Sequence, residues 1–251
     1  MDDFSGANIL ITGAASGIGA ATATLLAGQG AKKLILVDLQ EEKLADFAFS
    51  LPCERQVLIG DVTDEHFWSR ADLTGLTHAV VNAGIGVGQS IDEMSFAEWR
   101  RVMSVNLDGA FLTLQAAMRA MKGSGGSVVL TASAAGIKAD AGIAAYGASK
   151  AAVIHLARIA AKEGAPSRIR VNSIAPGGVE TPIWNDVPFF ADIVGSTGSQ
   201  QAAFEQIGKA ACPFGRFARA EEMAEQIAFL LSDKAAFTTG SCLVSDGGYS
   251  L

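Results

Sequence analysis

A short apolar run that leads into a glycine-rich turn and then a helix constrains this chain more than any other feature. Residues 8–12 are mostly apolar, which predicts a buried strand. Gly13, Gly17 and Gly19 follow, and helical apolar spacing continues after them. Glycines permit a tight turn and a close approach of the backbone to a diphosphate, while a helix N-terminus supplies N–H donors. A turn of this kind could be purely structural, but its position between a strand and a helix predicts a nucleotide site.

Six further apolar runs continue the alternation of strands and helices. They predict strands at residues 33–37, 57–59, 77–81, 127–131, 168–174 and 239–244. Helical spacing is clearest over residues 95–121, 145–164 and 220–231. Strands that alternate with helices form parallel sheets, whose ligand crevice lies at the carboxyl ends of the strands. We expect an α/β chain with one domain over residues 1–251, a doubly wound Rossmann-type fold whose seven-stranded parallel sheet is flanked by helices.

Residues 184–211 differ from the rest of the chain. They have no regular apolar period and are rich in Gly, Ser, Gln and aromatic residues. After the sixth strand of an α/β chain, such a segment is typical of a mobile loop that covers the ligand crevice. We expect these residues to form a substrate-binding lid within the single domain.

Composition and charge exclude several classes of function. The chain has 251 residues, of which 49% are hydrophobic, so it can bury a large core. Its net charge of −7 disfavours nucleic acid or an anionic membrane as a partner. No apolar run reaches the roughly 18 residues of a membrane span, and the N-terminus lacks a signal-peptide pattern. The three cysteines and three histidines are scattered, which predicts no metal site and a reducing, cytoplasmic location.

An acidic residue ends the second predicted strand. Asp38 lies 19 residues after Gly19, close to the offset at which a carboxylate accepts hydrogen bonds from the adenosine ribose. The same carboxylate would repel a 2′-phosphate, and no Arg or Lys occurs in residues 39–42. An ordinary turn aspartate is the alternative, but its position favours the ribose contact and predicts NAD as the cofactor.

A tyrosine and a lysine one helical turn apart supply candidate chemistry. Tyr146 and Lys150 fall at the start of the helix predicted over residues 145–164, and positions i and i+4 share one helix face. A nearby ammonium favours the phenolate, so we expect Lys150 to lower the pKa of Tyr146 from about 10. Such a tyrosine can act as a general acid–base catalyst near neutral pH. Chance pairs of this kind are common, so the prediction depends on the surrounding motifs.

Together these motifs resemble the classical short-chain dehydrogenase/reductase family over essentially the whole chain. They occur in order and at the expected spacing, including the thirteen-residue step from Ser133 to Tyr146. The matching positions are Thr12, Gly13, Gly17, Gly19, Asp61, Val62, Asn82, Ala83, Gly84, Asn106, Ser133, Tyr146, Lys150, Pro176, Gly177, Val179 and Thr181. One departure is that the segment from residue 61 to residue 82 is several residues short, which predicts a trimmed helix there.

The resemblance implies four catalytic residues. Tyr146 would exchange a proton with the substrate oxygen, and Ser133 would hydrogen-bond the same oxygen. Lys150 would lower the pKa of the tyrosine and bind the nicotinamide ribose. Asn106 would hold a water molecule in a proton relay from Lys150 to solvent.

The resemblance also implies the cofactor contacts. Val179 and Thr181 would bind the carboxamide, and Asp61 and Val62 would flank the adenine. The other expected contacts are Gly13, Ser16, Gly17, Ile18, Gly19, Asp38, Asn82, Ala83, Gly84, Tyr146, Lys150, Pro176 and Gly177.

The residues expected around the substrate are mostly apolar. They are Ile85, Gly86, Ala135, Ile143 and Trp184. A buried substrate acid would need a cationic partner, and Lys138, the cation of the loop before Tyr146, is expected at the rim. We therefore expect an NAD(H)-dependent oxidoreductase that interconverts a neutral, largely apolar, cyclic or aromatic secondary alcohol and its ketone.

Three alternatives stay open. The substrate could be a hydroxy acid or sugar-type molecule, with Lys138 turned inward. A 3-oxoacyl reductase for carrier-bound substrates would need a basic docking patch and usually NADPH, which Asp38 opposes. A nucleotide-binding regulator would normally lack the Tyr or the Lys of the catalytic set.

The helices at 95–121 and 145–164 are apolar on more than one face. One face can pack on the sheet and the other needs a partner. The family resemblance implies that this partner is a second copy of the chain, in a symmetric homotetramer.

Overall fold

Residues 4–251 are described by a computed structural model, and a single sheet organises them. Its strands are β1 Asn8–Thr12, β2 Lys33–Asp38, β3 Glu54–Ile59, β4 His78–Val81, β5 Gly126–Thr131, β6 Ile169–Pro176 and β7 Cys242–Ser245. Every pairing is parallel, in the order β3-β2-β1-β4-β5-β6-β7. The predicted seven-stranded, doubly wound sheet is confirmed.

Helices cover both faces of this sheet. They are α1 Gly17–Gly28, α2 Glu41–Phe49, α3 Glu65–Arg70, α4 Phe96–Met103, α5 Gly109–Met121, α6 Ala144–Gly164, α7 Pro188–Thr197, α8 Gln200–Ala211 and α9 Ala220–Leu231. Within the described part of the chain, none is long and apolar enough to cross a membrane.

The core is divided by the sheet because side chains alternate between its faces. Ile9 and Ile11 of β1 pack in one cluster with α1 and α9, while Leu10 packs in the other with α5 and α6. The central strands are buried on both faces, which explains why they appear in the sequence as continuous apolar runs rather than as alternating patterns.

The connection between β3 and β4 is short, as predicted. Its helix α3 has only six residues, and the indole of Trp68 is buried and donates to the Val62 carbonyl at 2.9 Å. This hydrogen bond fixes the backbone of Val62 at the end of the crevice.

The long helix predicted over residues 95–121 is interrupted. A π-helical segment, Ser104–Asp108, separates α4 from α5 and contains Asn106. Single π turns within helices occur frequently at functional sites. The apolar spacing of the sequence did not reveal this interruption.

The segment at residues 184–211 is helical, which the sequence interpretation missed. It contains α7 and α8 after a short 3-10 turn, Pro182–Asp186. Phe190, Phe204 and Phe217 form a small separate core with Ala203. These aromatic residues are far apart in sequence and pack on one another rather than on the sheet, so no regular period marked the helices.

Candidate active site

A cavity of about 810 Å³ lies along the carboxyl ends of the strands. Its wall includes the turn after β1, the end of β2 and the residues that follow β4, β5 and β6. All the residues predicted to act in catalysis or to bind cofactor or substrate line it, except Gly19 and Asn106. The structure therefore brings the predicted site together at the expected edge of the sheet.

The turn after β1 requires glycine at three positions. Gly13 and Gly17 have φ angles of 65° and 54°, which L side chains rarely adopt. A Cβ on Gly19 would collide with the Gly13 carbonyl, and one on Gly17 would lie 3.2 Å from the Thr181 Cβ. The turn is thus an open backbone cradle at the start of α1, as a diphosphate requires.

Thr12 holds this cradle against the end of β4. Its buried hydroxyl accepts hydrogen bonds from the backbone N–H groups of Asn82 at 3.0 Å and Ala83 at 3.1 Å. The Asn82 side chain donates back to the Thr12 carbonyl at 3.1 Å. Thr12 matched the family motif but was not predicted as a site residue, because its contribution is to fix two neighbouring loops.

Asp38 lies at the end of β2 and lines the same cavity. Its carboxylate accepts hydrogen bonds from the N–H groups of Ala15 at 2.9 Å and Gln40 at 3.1 Å. Each carboxylate oxygen keeps lone pairs for further donors, as a ribose diol would supply. The cradle and this carboxylate together fit the diphosphate and adenosine ribose of a nicotinamide dinucleotide.

Ser133 and Tyr146 meet where a short loop packs against the start of α6. Ser133 begins the 3-10 turn Ala134–Gly136, and its hydroxyl accepts from the Ala135 N–H at 3.2 Å. A Cβ on Gly136 would lie 2.7 Å from the Ala151 nitrogen, so only glycine permits this contact with α6. The packing brings the Ser133 hydroxyl within hydrogen-bonding reach of the Tyr146 phenol.

The pKa of Tyr146 differs from the sequence-based expectation. Burial raises it above its ordinary value, and the hydrogen bond with Ser133 acts in the opposite direction with a smaller effect. The prediction that Lys150 lowers this pKa is wrong in this structure. The ammonium of Lys150 lies 5.8 Å from the centre of the tyrosine ring and donates instead to the Thr131 carbonyl at 2.9 Å.

Lys150 is itself almost fully buried, with 4% of its surface exposed. Burial lowers its pKa from 10.5 to about 8, since the charged form loses its solvation. The lysine can therefore release or regain a proton in a mildly alkaline range.

Asn106 lies behind the cavity rather than in its wall. Its side-chain oxygen accepts from the Ile85 N–H at 2.8 Å, and its amide donates to the Ile85 carbonyl at 3.0 Å and to the Ser149 hydroxyl at 3.2 Å. A Cβ on Gly84 would lie 3.2 Å from the Asn106 oxygen and 3.3 Å from the Lys150 nitrogen. Asn106 therefore braces the loop after β4 against α6, close to Lys150.

Comparisons with known proteins agree with this geometry. A family model described as enoyl-(acyl carrier protein) reductase matches residues 13–250. Cis-4-hydroxycyclohexanecarboxylate dehydrogenase of Sinomonas cyclohexanicum is 39% identical over 252 residues, which cover 96% of this chain and 95% of that protein. The chain belongs to the short-chain dehydrogenase/reductase family.

Two further relatives extend the comparison. Cyclohexanol dehydrogenase of Acinetobacter sp. (strain SE19) is 36% identical over 253 residues, covering 96% of this chain and 94% of that protein. The crystal structure of levodione reductase superposes with a TM-score of 0.87 at 34% identity, and 98% of each chain is covered. The motif-based resemblance is confirmed, and this short-chain dehydrogenase/reductase is an oxidoreductase of a family that uses nicotinamide cofactors.

Aromatic side chains line the part of the cavity around Trp184. Trp184 stacks on Phe217, with ring centres 5.1 Å apart, and its indole donates to the Val179 carbonyl at 2.9 Å. The lining residues that the sequence interpretation missed include Ile207, Phe217 and Tyr249. Glycine at position 178 leaves room for the Phe217 ring, because a Cβ there would collide with it.

Two cations that could in principle bind a substrate acid are already engaged. Lys138 is not among the lining residues; its ammonium donates to the Tyr249 carbonyl at 2.9 Å and lies 4.1 Å from the centre of the Tyr249 ring. Arg101 does line the cavity and forms a two-point ion pair with Glu98, at 2.6 Å and 2.9 Å. Arg101 was not predicted as a site residue, since it lies far from Tyr146 in sequence.

Proposed function

We propose that this chain is an NAD(H)-dependent dehydrogenase that interconverts a neutral, cyclic secondary alcohol and its ketone. The observation that carries the proposal is the convergence of Ser133, Tyr146 and Lys150 on one cavity whose far wall is apolar and aromatic. The glycine cradle and Asp38 provide a cofactor groove that is continuous with that cavity.

We assign the proton transfer to Tyr146. In the oxidation direction its phenolate accepts the proton of the substrate hydroxyl, while the Ser133 hydroxyl donates a hydrogen bond to the same oxygen and orients it. Nicotinamide, when bound, supplies or accepts the hydride. Lys150 would bind the adjacent ribose. Because burial lowers the pKa of its ammonium to about 8, the charge of Lys150 would change in mildly alkaline solution.

We infer a cyclic substrate from the shape and polarity of the wall. Trp184, Phe189 and Phe217 line the cavity together with aliphatic side chains, and flat aromatic faces suit a six-membered ring. Relatives are named as dehydrogenases of cyclohexanol and of a hydroxycyclohexanecarboxylate. The shared cyclohexane ring supports a ring-bearing alcohol here as well.

A hydroxy acid is the second candidate substrate, and Arg101 is the observation that favours it. A substrate carboxylate at this end of the cavity could take the place of Glu98 on the guanidinium. We favour the neutral alcohol because Arg101 is already paired and Lys138 is held by the Tyr249 carbonyl. A carrier-bound 3-oxoacyl substrate is the third alternative, and Asp38 opposes the NADPH that it usually requires.

The deciding experiment compares cyclohexanol with 4-hydroxycyclohexanecarboxylate. We expect kcat/KM for cyclohexanol to be at least about tenfold higher, a difference of about 1.4 kcal/mol. Arg101→Gln should leave that ratio unchanged, and Arg100→Gln, at an exposed neighbouring position, serves as the matched control. A tenfold preference for the acid that Arg101→Gln abolishes and Arg100→Gln retains would establish the second candidate instead.

The cofactor proposal follows from Asp38. We predict that kcat/KM with NAD exceeds that with NADP by at least about tenfold, because the carboxylate repels a 2′-phosphate. Asp38→Asn keeps the size of the side chain and removes its charge, so it should bring the kcat/KM values for NAD and NADP closer together. Asp46→Asn, on the exposed side of α2, is the control for a general change in charge. Equal use of both cofactors by the unmodified protein would exclude this assignment.

We also propose that the chain forms a homotetramer in the cytoplasm. Phe111 on α5 and Ile159 on α6 are 46% and 44% exposed, so apolar surface is available on both helices. The three cysteines are unpaired, as expected in a reducing compartment. Light scattering at micromolar concentration should give four times the 25.9 kDa mass of one chain. A monomeric mass would contradict the assembly.

A further inference from the structure

The residues after β7 fold back on themselves rather than extending from the sheet. We refer to residues 246–251 as the 246–251 segment. The Asp246 carboxylate accepts hydrogen bonds from the N–H groups of Gly248 at 2.9 Å and Ser250 at 2.8 Å. The Tyr249 N–H donates to the Asp246 carbonyl at 3.1 Å. These bonds give the segment a defined turn that presents Tyr249 to the cavity.

The 246–251 segment is attached to the loop between Ser133 and Tyr146. Lys138 of that loop donates to the Tyr249 carbonyl at 2.9 Å, and its ammonium lies 4.1 Å from the centre of the same tyrosine ring. A cation over an aromatic face is attracted by the ring quadrupole. One lysine therefore holds both the backbone and the side chain of Tyr249.

The segment is also attached to the end of α8. The Cys212 thiol and the Phe214 N–H both donate to the Gly247 carbonyl, at 3.3 Å and 3.2 Å. Glycine is required at position 247, because a Cβ would lie 2.5 Å from the Cys212 sulfur. The end of the lid helix and the loop that carries Ser133 are thus joined through the same six residues.

We propose that the 246–251 segment closes the substrate end of the cavity, with Tyr249 as a specificity-determining residue and Lys138 as the positioning residue that fixes it. Tyr249 lines the cavity together with Asp140 of the Ser133 loop and Cys212 after α8. Its ring thus closes the gap between these two elements and limits the size of the ring that can enter. The inference rests on the proposed function, because it assigns the alcohol to this end of the cavity.

Substrate size provides the first test. The ratio of kcat/KM for the bicyclic alcohol decahydro-2-naphthol to that for cyclohexanol should rise at least about tenfold in Tyr249→Ala, because the ring that limits the space is gone. Tyr249→Phe keeps the ring and should restore a ratio close to that of the unmodified protein. Lys138→Met should raise the ratio about threefold, and Lys122→Met, at an exposed position, should not change it. The KM of the nicotinamide cofactor should stay within about twofold throughout.

Hydrogen exchange provides a second test that needs no turnover. The amides of residues 137–142 and 205–214 should exchange at least about fivefold faster in Lys138→Met than in Lys122→Met, since the segment no longer joins these elements. If the protein oxidises no cyclic alcohol, the proposed function is wrong. The exchange rates still show whether Lys138 and the 246–251 segment hold the Ser133 loop and the end of α8 together. Unchanged exchange in Lys138→Met, or an unchanged size ratio in a folded Tyr249→Ala protein that oxidises cyclohexanol, would overturn the inference.

Discussion

Replacing Tyr146 by Phe should lower kcat by at least about 100-fold while nearly preserving cofactor binding. The substitution retains the ring and removes only the hydroxyl that hydrogen-bonds Ser133. In the proposed reaction this hydroxyl carries the proton to and from the substrate oxygen, so its loss removes the acid–base step. The measurement is kcat with cyclohexanol together with the Kd of NADH from fluorescence.

The pH dependence of the unmodified enzyme tests the same assignment. Burial raises the pKa of Tyr146, so the phenol is protonated at neutral pH and can serve as an acid for ketone reduction. Alcohol oxidation requires the phenolate, and its kcat should rise as the pH increases through the alkaline range. Near-normal turnover in Tyr146→Phe, or an oxidation rate independent of pH, would require another catalytic group.

The sheet was predictable because its five central strands, β2, β1, β4, β5 and β6, are mostly buried and therefore appear as short apolar runs. The glycine turn and the carboxylate that we propose to bind the cofactor were recognisable for a related reason. The turn with Gly13 and Gly17 must adopt positive φ angles, and Asp38 ends a strand, so both features are local in sequence. A motif of this kind fixes its own geometry and requires little information from the rest of the chain.

The part of the cavity wall outside the motifs was less predictable because distant parts of the chain form it. Phe217 and Tyr249 reach the cavity from segments after residue 211, and Arg101 reaches it from α4. The helices within residues 184–211 were hidden because Phe190 and Phe204 pack on each other, with ring centres 4.8 Å apart, rather than following the period of one amphipathic helix. Contacts between residues so far apart leave no regular pattern in a single sequence.

The direction in which the Tyr146 pKa is shifted could not be inferred from spacing alone. A separation of four residues places Lys150 on the same helix face, but it does not determine where the ammonium points. In the structure the ammonium turns to the Thr131 carbonyl, and burial outweighs the effect of Ser133 on the phenol. The balance between solvation and charge depends on the complete packing around both residues.

Burial of Lys150 leads to the second large effect, in which a substitution should lower activity but raise stability. Lys150→Met should lower kcat by at least about 100-fold, because the ammonium that binds the nicotinamide ribose in our proposal is lost. At pH 7 it should also raise the free energy of unfolding by about 1–2 kcal/mol. The folded protein holds this lysine with a pKa of about 8, below the value of 10.5 that it has in solvent. Keeping it charged at pH 7 therefore costs stability, part of which the hydrogen bond to Thr131 offsets.

The pH range over which Lys150→Met should be more stable than the parent follows from the pKa of Lys150 in the folded chain, about 8, and in solvent, 10.5. Below pH 8 both the folded and the unfolded chain keep the lysine protonated, so the full cost of burying the charge is present. Between about 8 and 10.5 the unfolded chain binds a proton that the folded chain does not, and the stability of the unmodified protein rises relative to the variant. Urea unfolding at pH 7 and pH 10 should therefore show a gain for Lys150→Met that shrinks at the higher pH. Lys122→Met, at an exposed site, should show no such change. A Met variant less stable than the parent at pH 7 would mean that the contacts of the ammonium outweigh the cost of its burial.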